Sequence, residues 1–431
     1  MVEGRAKYGD NFYGVEWYTR WHLGSPTANS PWHASPVFFT SHAIFGSHFE
    51  RSLQSIYPAL SAHYWDFTID AALSTDWSGS FFWSEGWFGP HSSIDVADMH
   101  KATTGRWANI VIGRNMSTFN THNSYGLVNE PYNNNPSNVL TRSFSICGMP
   151  TTAMSLPSCE ELMGTFEQTT MTDFHSSTEY DLHVELHPLF GGAWDCEASL
   201  DETPDSLLDT MSYFVRDLTN YYIMNYYDDA LTCPSYCSLD TDFHDCRCEC
   251  DDLSGMLEES ETLSNDQWYQ VFEKVVANKT ATATMPLQTA KILSQNKEGK
   301  WKFEGLSNKE NAMMYESTSM LVCYPGRIGQ FMGPLDSAND PIFFPTHINW
   351  ERNWNYMRLK NNFNNTWNSG DTWSMVKGWA YTDPVAPFTN AYGNIRKKGY
   401  FTNDELIDLF DPSLDMLPFI WDDMSWKHCN L

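Results

Sequence analysis

Six histidines fall into two groups of three, and each group has the residue types and spacing to bind one metal ion. The first group is His22, His33 and His42, and the second is His183, His187 and His347. Imidazole nitrogen suits copper, zinc, iron and nickel, and the geometry of the site selects among these metals. Because neither group includes a thiolate or a carboxylate, two neighbouring three-histidine sites indicate a pair of copper ions.

The residues that follow His42 predict the helix that carries it. Apolar residues from Phe45 to Ile56 recur at the three-and-four spacing of one helical face, so His42 is expected to point into a core. A lone histidine on such a face is usually a core residue with its hydrogen bonds satisfied. Here His33 precedes it by nine residues, across a proline and two phenylalanines, which fits a loop that folds over the same spot. His22 is expected on a further amphipathic helix that also carries two tryptophans.

The second group contains an HxxxH pair. On a helix, His183 and His187 would lie on one face about 5–6 Å apart and could bind a single ion. Such pairs arise by chance in many helices, so the spacing alone is weak evidence. Two further features strengthen it: the Gly191-Gly192 dipeptide that follows, and a turn at Asn339–Pro341 that predicts the start of a helix carrying His347.

Motifs around both groups resemble those of the tyrosinase, catechol oxidase and mollusc-type haemocyanin superfamily. The first motif comprises His33-x8-His42, Phe49–Gln54 and His63–Phe67. The second comprises His183-x3-His187-x3-Gly191-Gly192 and, far downstream, Ser337–Phe344 followed by His347. The chain therefore resembles this family at both of its metal-binding motifs, in the family's order.

The resemblance implies a fold, a cofactor and an activity. The implied fold is mainly α, a four-helix bundle around a dicopper centre, with a large cysteine-containing insertion. One copper ion would be bound by the first histidine group and one by the second. The implied activity is oxidation of o-diphenols to o-quinones by dioxygen, with weaker hydroxylation of monophenols, so the expected partners are small phenols and O2. Two alternatives stay open: a haemocyanin-like protein that binds O2 reversibly, and a structural protein with a degenerate copper site.

Two positions bear on the balance of activities. Members that hydroxylate monophenols well use a glutamate and an asparagine to hold a water that can take the phenol's proton. The resemblance places Glu179 at the glutamate position and makes it the candidate catalytic residue, but the asparagine position is Val184. Because a phenol titrates near about pH 10, weaker base assistance should slow monophenols more than catechols. We therefore predict that diphenol oxidation is the stronger activity.

Two further positions near the last ligand differ from the family pattern. Thr346 stands where a second histidine usually precedes that ligand. Glu351 stands where an aspartate usually pairs with the following arginine, here Arg352. Groups that surround metal ligands tune a site more often than they decide whether metal binds. We expect adjustments around the ligands and no loss of metal.

The second motif is interrupted by a long insertion. Residues 1–194 and 326–431 are predicted to form the dicopper catalytic domain, and 195–325 an insertion within it that is cysteine-rich around 233–250. Helix is expected near 205–227 and mixed structure over 268–302. Cys246, Cys248 and Cys250 could bind zinc, but alternate-residue thiols suit disulfides better than the two-residue spacing of tetrahedral zinc sites.

Composition excludes some partners and indicates a compartment. The net charge is -28, and no basic cluster is dense enough to follow a phosphate backbone, so neither nucleic acid nor an anionic membrane is an expected partner. No apolar run approaches the ~18 residues of a membrane span. The first residues lack an apolar signal core, which suggests a trimmed leader.

Ten cysteines favour an oxidising compartment, so we expect a secreted or luminal protein. The sequence does not indicate an oligomeric state.

Overall fold

A computed structural model describes residues 2–24, 32–74, 76–90, 94–114, 121–260, 262–283, 287–367, 383–389, 399–414, 417 and 419–430. These residues are mainly helical, which confirms the predicted fold class. The α-helices are α1 Val2–Tyr8, α2 Val15–Gly24, α3 Val37–Ile56, α4 Phe67–Leu73, α5 Cys159–Phe166, α6 Met171–Thr178, α7 Val184–Gly191, α8 Leu208–Arg216, α9 Leu218–Tyr227, α10 Phe243–Cys246, α11 Asp251–Glu259, α12 Asn265–Phe272, α13 Asn278–Thr282, α14 Asn308–Cys323, α15 Phe343–Arg358 and α16 Asn403–Leu409. Two π-helical segments, Glu179–His183 and Glu273–Ala277, precede α7 and α13.

The strands are short. They are β1 Ile94–Asp95, β2 Lys101–Ala102, β3 Ser145–Ile146, β4 Met149–Pro150, β5 Ala193–Trp194, β6 Leu293–Gln295, β7 Trp301–Phe303, β8 Arg327–Ile328, β9 Pro384–Thr389 and β10 Tyr400–Thr402. One sheet has the order β4-β3-β5-β8, and the other strands form the antiparallel pairs β1-β2, β6-β7 and β10-β9. In the four-stranded sheet only the β3-β5 pair is parallel.

The chain divides into two units. Unit 1 comprises Met1–Phe82, Ser155–His183 and Ala338–Leu431, and unit 2 comprises Trp83–Met154 and Val184–Ser337. The segment predicted as an insertion, 195–325, lies inside unit 2, which also includes 83–154. Within it, α8 and α9 occupy the expected helical stretch, and 268–302 has the expected mixed structure. Its origin as an insertion into a catalytic domain stays a prediction.

In unit 1, α3 and α15 pack against each other. Both helices were predicted, and aromatic residues explain their contact: the rings of Phe49 and Phe344 stack with centroids 3.7 Å apart. Gly46 permits the close approach, since a Cβ atom there would lie 3.3 Å from Cγ1 of Ile348. The segment before α4 is fixed to α15 by a buried ion pair, Asp66 to Arg352, with 3.0 Å between Oδ2 and Nη1.

All ten cysteines lie in the described part of the chain and form disulfides. The pairs are Cys147–Cys196, Cys233–Cys248, Cys237–Cys246 and Cys250–Cys323 in unit 2, and Cys159–Cys429 in unit 1. The prediction of disulfides is therefore confirmed, and the zinc alternative is wrong because each thiol of the cluster is bonded to another sulfur. Among the described helices, none is both long enough and apolar enough to cross a membrane.

Candidate metal centre

Three buried histidines from three helices of unit 1 converge. His22 lies on α2, His42 on α3 and His347 on α15, and each is at most 5% exposed. One nitrogen of each imidazole lies within 4.8 Å of a nitrogen of the other two. The Nε2 atoms of His22 and His42 are 3.1 Å apart. Three imidazole nitrogens this close in a buried space form a donor set for a single cation.

Hydrogen bonds to the helix backbone fix the proton on two of these imidazoles. Nδ1 of His42 donates to the carbonyl of Phe38 over 2.7 Å, and Nδ1 of His347 donates to the carbonyl of Phe343 over 2.9 Å. A carbonyl oxygen only accepts, so Nδ1 carries a proton, and Nε2 is the nitrogen of each ring that is left to bind a cation. A carbonyl on the far nitrogen is also the usual means by which proteins orient a metal-binding histidine. The residues present therefore fit copper.

His183 and His33 join the same cluster. Nε2 of His183 lies 2.9 Å from Nε2 of His347. The ring centroid of His33 lies 4.8 Å from that of His22, 5.2 Å from that of His42 and 6.2 Å from that of His183. Five of the six predicted ligands thus meet within unit 1. Because His347 adjoins both His42 and His183, the structure brings the two predicted groups together, and their assignment to two separate ions stays a prediction.

His187, the sixth predicted ligand, lies in unit 2 on α7. It is fully buried, and its Nδ1 donates to the carbonyl of Phe331 over 2.7 Å. Burial lowers the pKa of His187 to about 4, so its imidazole is neutral at physiological pH, as metal ligation requires. The spacing predicted one helix for His183 and His187; the structure instead ends a π-helical segment at His183 and begins α7 at Val184. π-Helical turns often occur at functional sites.

The Gly191-Gly192 dipeptide ends α7 for steric reasons. A Cβ atom on Gly191 would lie 2.0 Å from the backbone nitrogen of Met332. Gly192 has a φ of +65°, and a Cβ atom there would lie 2.0 Å from the carbonyl oxygen of Ser143. Only glycine fits both positions, because each packs directly on another backbone. The motif thus fixes how the helix carrying His187 packs in unit 2.

Glu179, the predicted catalytic residue, contacts the turn that carries His33. Its carboxylate is 3% exposed and accepts from the backbone nitrogen of Ala34 at 2.9 Å for Oε1 and 3.1 Å for Oε2. Oε2 also interacts with Nε2 of His175. Ala34 has a φ of +58°, an unfavourable conformation for a residue with a Cβ atom. Glu179 therefore stabilises the turn that presents His33, and its part in proton transfer stays a prediction.

Sequence reasoning missed two phenylalanines that surround the cluster. The ring of Phe343 stacks on His347 at 3.7 Å between centroids, and the ring of Phe38 lies 4.6 Å from His42 and 4.9 Å from His183. Each phenylalanine also supplies the carbonyl that holds the imidazole four residues later. A repeated Phe-x3-His spacing, present at both places, was the signal that could have identified them.

Comparison with known proteins agrees with this geometry. The family model described as the common central domain of tyrosinase matches residues 10–214. This match supports membership of the tyrosinase family. The matched region includes five of the six predicted ligands, and His347 lies beyond it. Among curated proteins, none matches the chain.

The matched domain supports a type 3 copper protein. The positions that differ from the family pattern have clear local roles. Thr346 is fully buried and donates its hydroxyl to the carbonyl of Ile342 over 2.6 Å, so its side chain is satisfied within α15. Arg352 pairs with Asp66. Glu351 faces another part of unit 1, where it lines a cavity.

Proposed function

We propose that this protein is a copper-dependent phenol oxidase that uses O2 to oxidise o-diphenols to o-quinones. Two copper ions would be held by His22, His33 and His42 and by His183, His187 and His347. The proposal is carried by one observation: five of these imidazoles meet in unit 1, and two of them donate Nδ1–H to a backbone carbonyl, so that their Nε2 atoms face the cluster. The match to the common central domain of tyrosinase supports the same assignment.

A bound copper pair would supply the electron exchange with O2. The chain's own contribution is to position and shield it. The carbonyls of Phe38 and Phe343 keep the proton on Nδ1, and the rings of the same two residues pack against the imidazoles. Glu179 holds the turn at Ala34, which keeps His33 beside the other ligands.

The environment of Glu179 supports catechols as the better substrates. Its carboxylate already accepts from Ala34 and interacts with His175, and the side chain of Val184 has no hydrogen-bonding group. The assistance available for removing a monophenol's proton is therefore small, whereas a catechol loses its first proton more readily. We infer that diphenol oxidation exceeds monophenol hydroxylation.

Oxygen uptake by the copper-loaded protein tests the proposal. We expect rapid uptake with 4-tert-butylcatechol, slower uptake with tyrosine, and almost none for His42→Asn with either substrate. A matched control is His244→Asn, an exposed histidine of unit 2, which should keep full activity. Reversible O2 binding without catechol turnover would instead establish an oxygen carrier, and equal rates on tyrosine and catechol would refute the substrate order.

Residence in a secreted or luminal compartment is part of the proposal. The five disulfides support it, because such bonds persist in oxidising compartments and are rare where thiols are kept reduced. Intact-mass measurement of protein from the native source should show ten alkylation-resistant cysteines before reduction. Free thiols in that sample would contradict this location.

A further inference from the structure

Unit 1 contains a cavity of about 1000 Å³ that the metal centre does not use. It is bordered by α3, α4 and α15 and by the segments 61–66, 76–82 and 419–422. On α3 its lining includes Gly46 and Glu50, one and two turns beyond His42; on α15 it includes Glu351, one turn beyond His347. This volume matches the sites that take drug-sized molecules, which are typically about 300–1,000 Å³.

Glu351 is the most buried carboxyl group that lines the cavity. It is 4% exposed, and its Oε1 atom has no hydrogen-bond partner among the described residues. A second carboxylate, that of Glu50, lies near enough to repel it, and accepts from the backbone nitrogen of Ala62 over 3.0 Å. A buried carboxylate without a donor is costly and is normally paired. Glu351 therefore provides an acceptor for a donor that the described chain does not supply.

The lining is acidic as a whole. Its carboxylates are Glu50, Asp66, Asp70, Asp76, Glu351 and Asp422, and no lysine or arginine is among the residues that line it. Some of these already have partners: Asp66 forms its ion pair with Arg352, Asp70 accepts from Nε1 of Trp65 at 2.6 Å, and Asp422 accepts from the hydroxyl of Tyr64 at 2.7 Å. Such a surplus of one charge in a cleft concentrates the opposite charge there. The cavity therefore favours a cation.

The walls and the rim are aromatic and apolar. Trp65 and Trp77 are 1% exposed, and the ring of Trp65 stacks on Phe82 with centroids 4.8 Å apart. At the rim, large apolar side chains face solvent: Ile69 is 43%, Phe81 62%, Leu73 78% and Ile420 95% exposed. Aromatic faces attract organic cations, and exposed apolar side chains grouped at a cavity indicate a ligand with an apolar body.

The arrangement is unsuited to a metal ion. Among the described residues, no three carboxylates of this cavity bring their oxygens within 4.8 Å of one another. Hard cations such as Ca²⁺ need six to eight oxygens around one point. We propose that the cavity binds a small organic ammonium compound with an aryl or alkyl body. The ammonium group would donate to Glu351 and Glu50, and the body would lie against the aromatic walls and the apolar rim.

Calorimetric titration of the copper-loaded protein with phenethylammonium tests the proposal. This probe is cationic at pH 7 and has no phenolic hydroxyl, so it is not a catechol substrate. We expect one site per chain. The uncharged analogue 2-phenylethanol should bind at least about tenfold more weakly, because a hydrogen bond to a charged group is lost. Glu351→Gln should weaken the binding of phenethylammonium to a similar extent. Glu298→Gln, at an exposed position of unit 2, should leave this binding unchanged.

Two further arms keep the test decisive. Leu73→Asn changes only an exposed rim residue, so the variant should fold normally. Its affinity for phenethylammonium should fall severalfold, because an apolar contact is removed. Titration in the presence of 4-nitrocatechol, which should occupy the metal centre, must leave the affinity unchanged. Equal affinity for the uncharged alcohol, insensitivity to Glu351→Gln, or displacement by 4-nitrocatechol would each overturn the proposal.

Discussion

The helices α3 and α15 carry two polar clusters of opposite character. At one end the imidazoles of His42 and His347 meet, and one or two turns further on the carboxyl groups of Glu50 and Glu351 face the cavity. Each imidazole donates its spare proton to the carbonyl four residues earlier on its own helix. A carboxylate has no such option, because the amide protons of a helix interior already bond within the helix.

The two clusters require different partners. Backbone carbonyls orient the imidazoles of the histidine cluster, so their Nε2 atoms can bind a cation. The carboxylate of Glu351 has no internal donor at Oε1, so its satisfaction has to come from outside the described chain. One scaffold thus supports two sites with separate ligands.

The largest effect should follow from His347→Asn. His347 adjoins both His42 and His183, so its loss removes a ligand at the junction of the two histidine groups. We expect copper content well below two ions per chain and catechol oxidation reduced by more than about 100-fold, beyond what loss of a group behind the ligands would cause. Copper analysis and oxygen uptake measure both.

The matched variant for this experiment is Glu351→Gln, one turn further along α15. It should keep its copper and most of its catechol activity, because the cavity is a separate site. If both variants lose copper to the same extent, the two clusters are not independent and the comparison fails.

A smaller effect is expected for Glu179→Gln. The change weakens the acceptor that holds the backbone nitrogen of Ala34, and with it the turn presenting His33. Outer groups of this kind typically change metal affinity by about 10–100-fold. Copper affinity, measured by competition with a chelator, should fall within this range while the far-ultraviolet circular dichroism stays unchanged. Glu167→Gln, at an exposed position, is the control. If the copper affinity of Glu179→Gln is unaltered, Glu179 does not position His33.

Much of the metal centre could be predicted from sequence. The apolar periodicity after His42 predicts α3, and the turn at Asn339–Pro341 predicts the helix that carries His347; both helices are observed. The approach of His33 to His42 was predicted from the loop that joins them, whereas the convergence of His22 with the more distant ligands rested on family resemblance, since local spacing does not determine long-range contacts. Assignment of the ligands to two ions could not be decided, because it depends on positions that differ by less than a side chain's length.

The role of Glu351 could not be predicted because neighbouring residues of a helix face different directions. The sequence places Glu351 beside Arg352, which suggests a pair, but adjacent helical residues do not face each other. Arg352 instead meets Asp66, a residue distant in sequence, and Glu351 turns to the cavity. Only the tertiary arrangement of α3, α4 and α15 shows that several acids line one space.

The smallest expected effect is the change in the pH dependence of stability that Glu351→Gln causes. Burial, together with the charge of Glu50, raises the pKa of Glu351 well above its ordinary value. The folded protein therefore keeps a proton that the unfolded chain, with a glutamate pKa near about 4.3, releases. Since the folded state is then the proton-richer one, stability falls as the pH rises above about 4.3, and the variant lacks this contribution.

We therefore expect the free energy of unfolding of Glu351→Gln to equal that of the parent near pH 4.5. Near pH 8 it should exceed the parent's by about 1–3 kcal/mol, the usual cost of an unsatisfied buried polar group. Urea unfolding of the two copper-loaded proteins from pH 4.5 to 8 measures the difference, with Glu167→Gln as the exposed control. Saturating phenethylammonium should reduce this difference in stability, because the bound ammonium group favours the ionised form of Glu351 and so opposes the rise in its pKa. A difference that is independent of pH would mean that Glu351 already has a partner, and the contrast with the backbone-satisfied histidines would be lost.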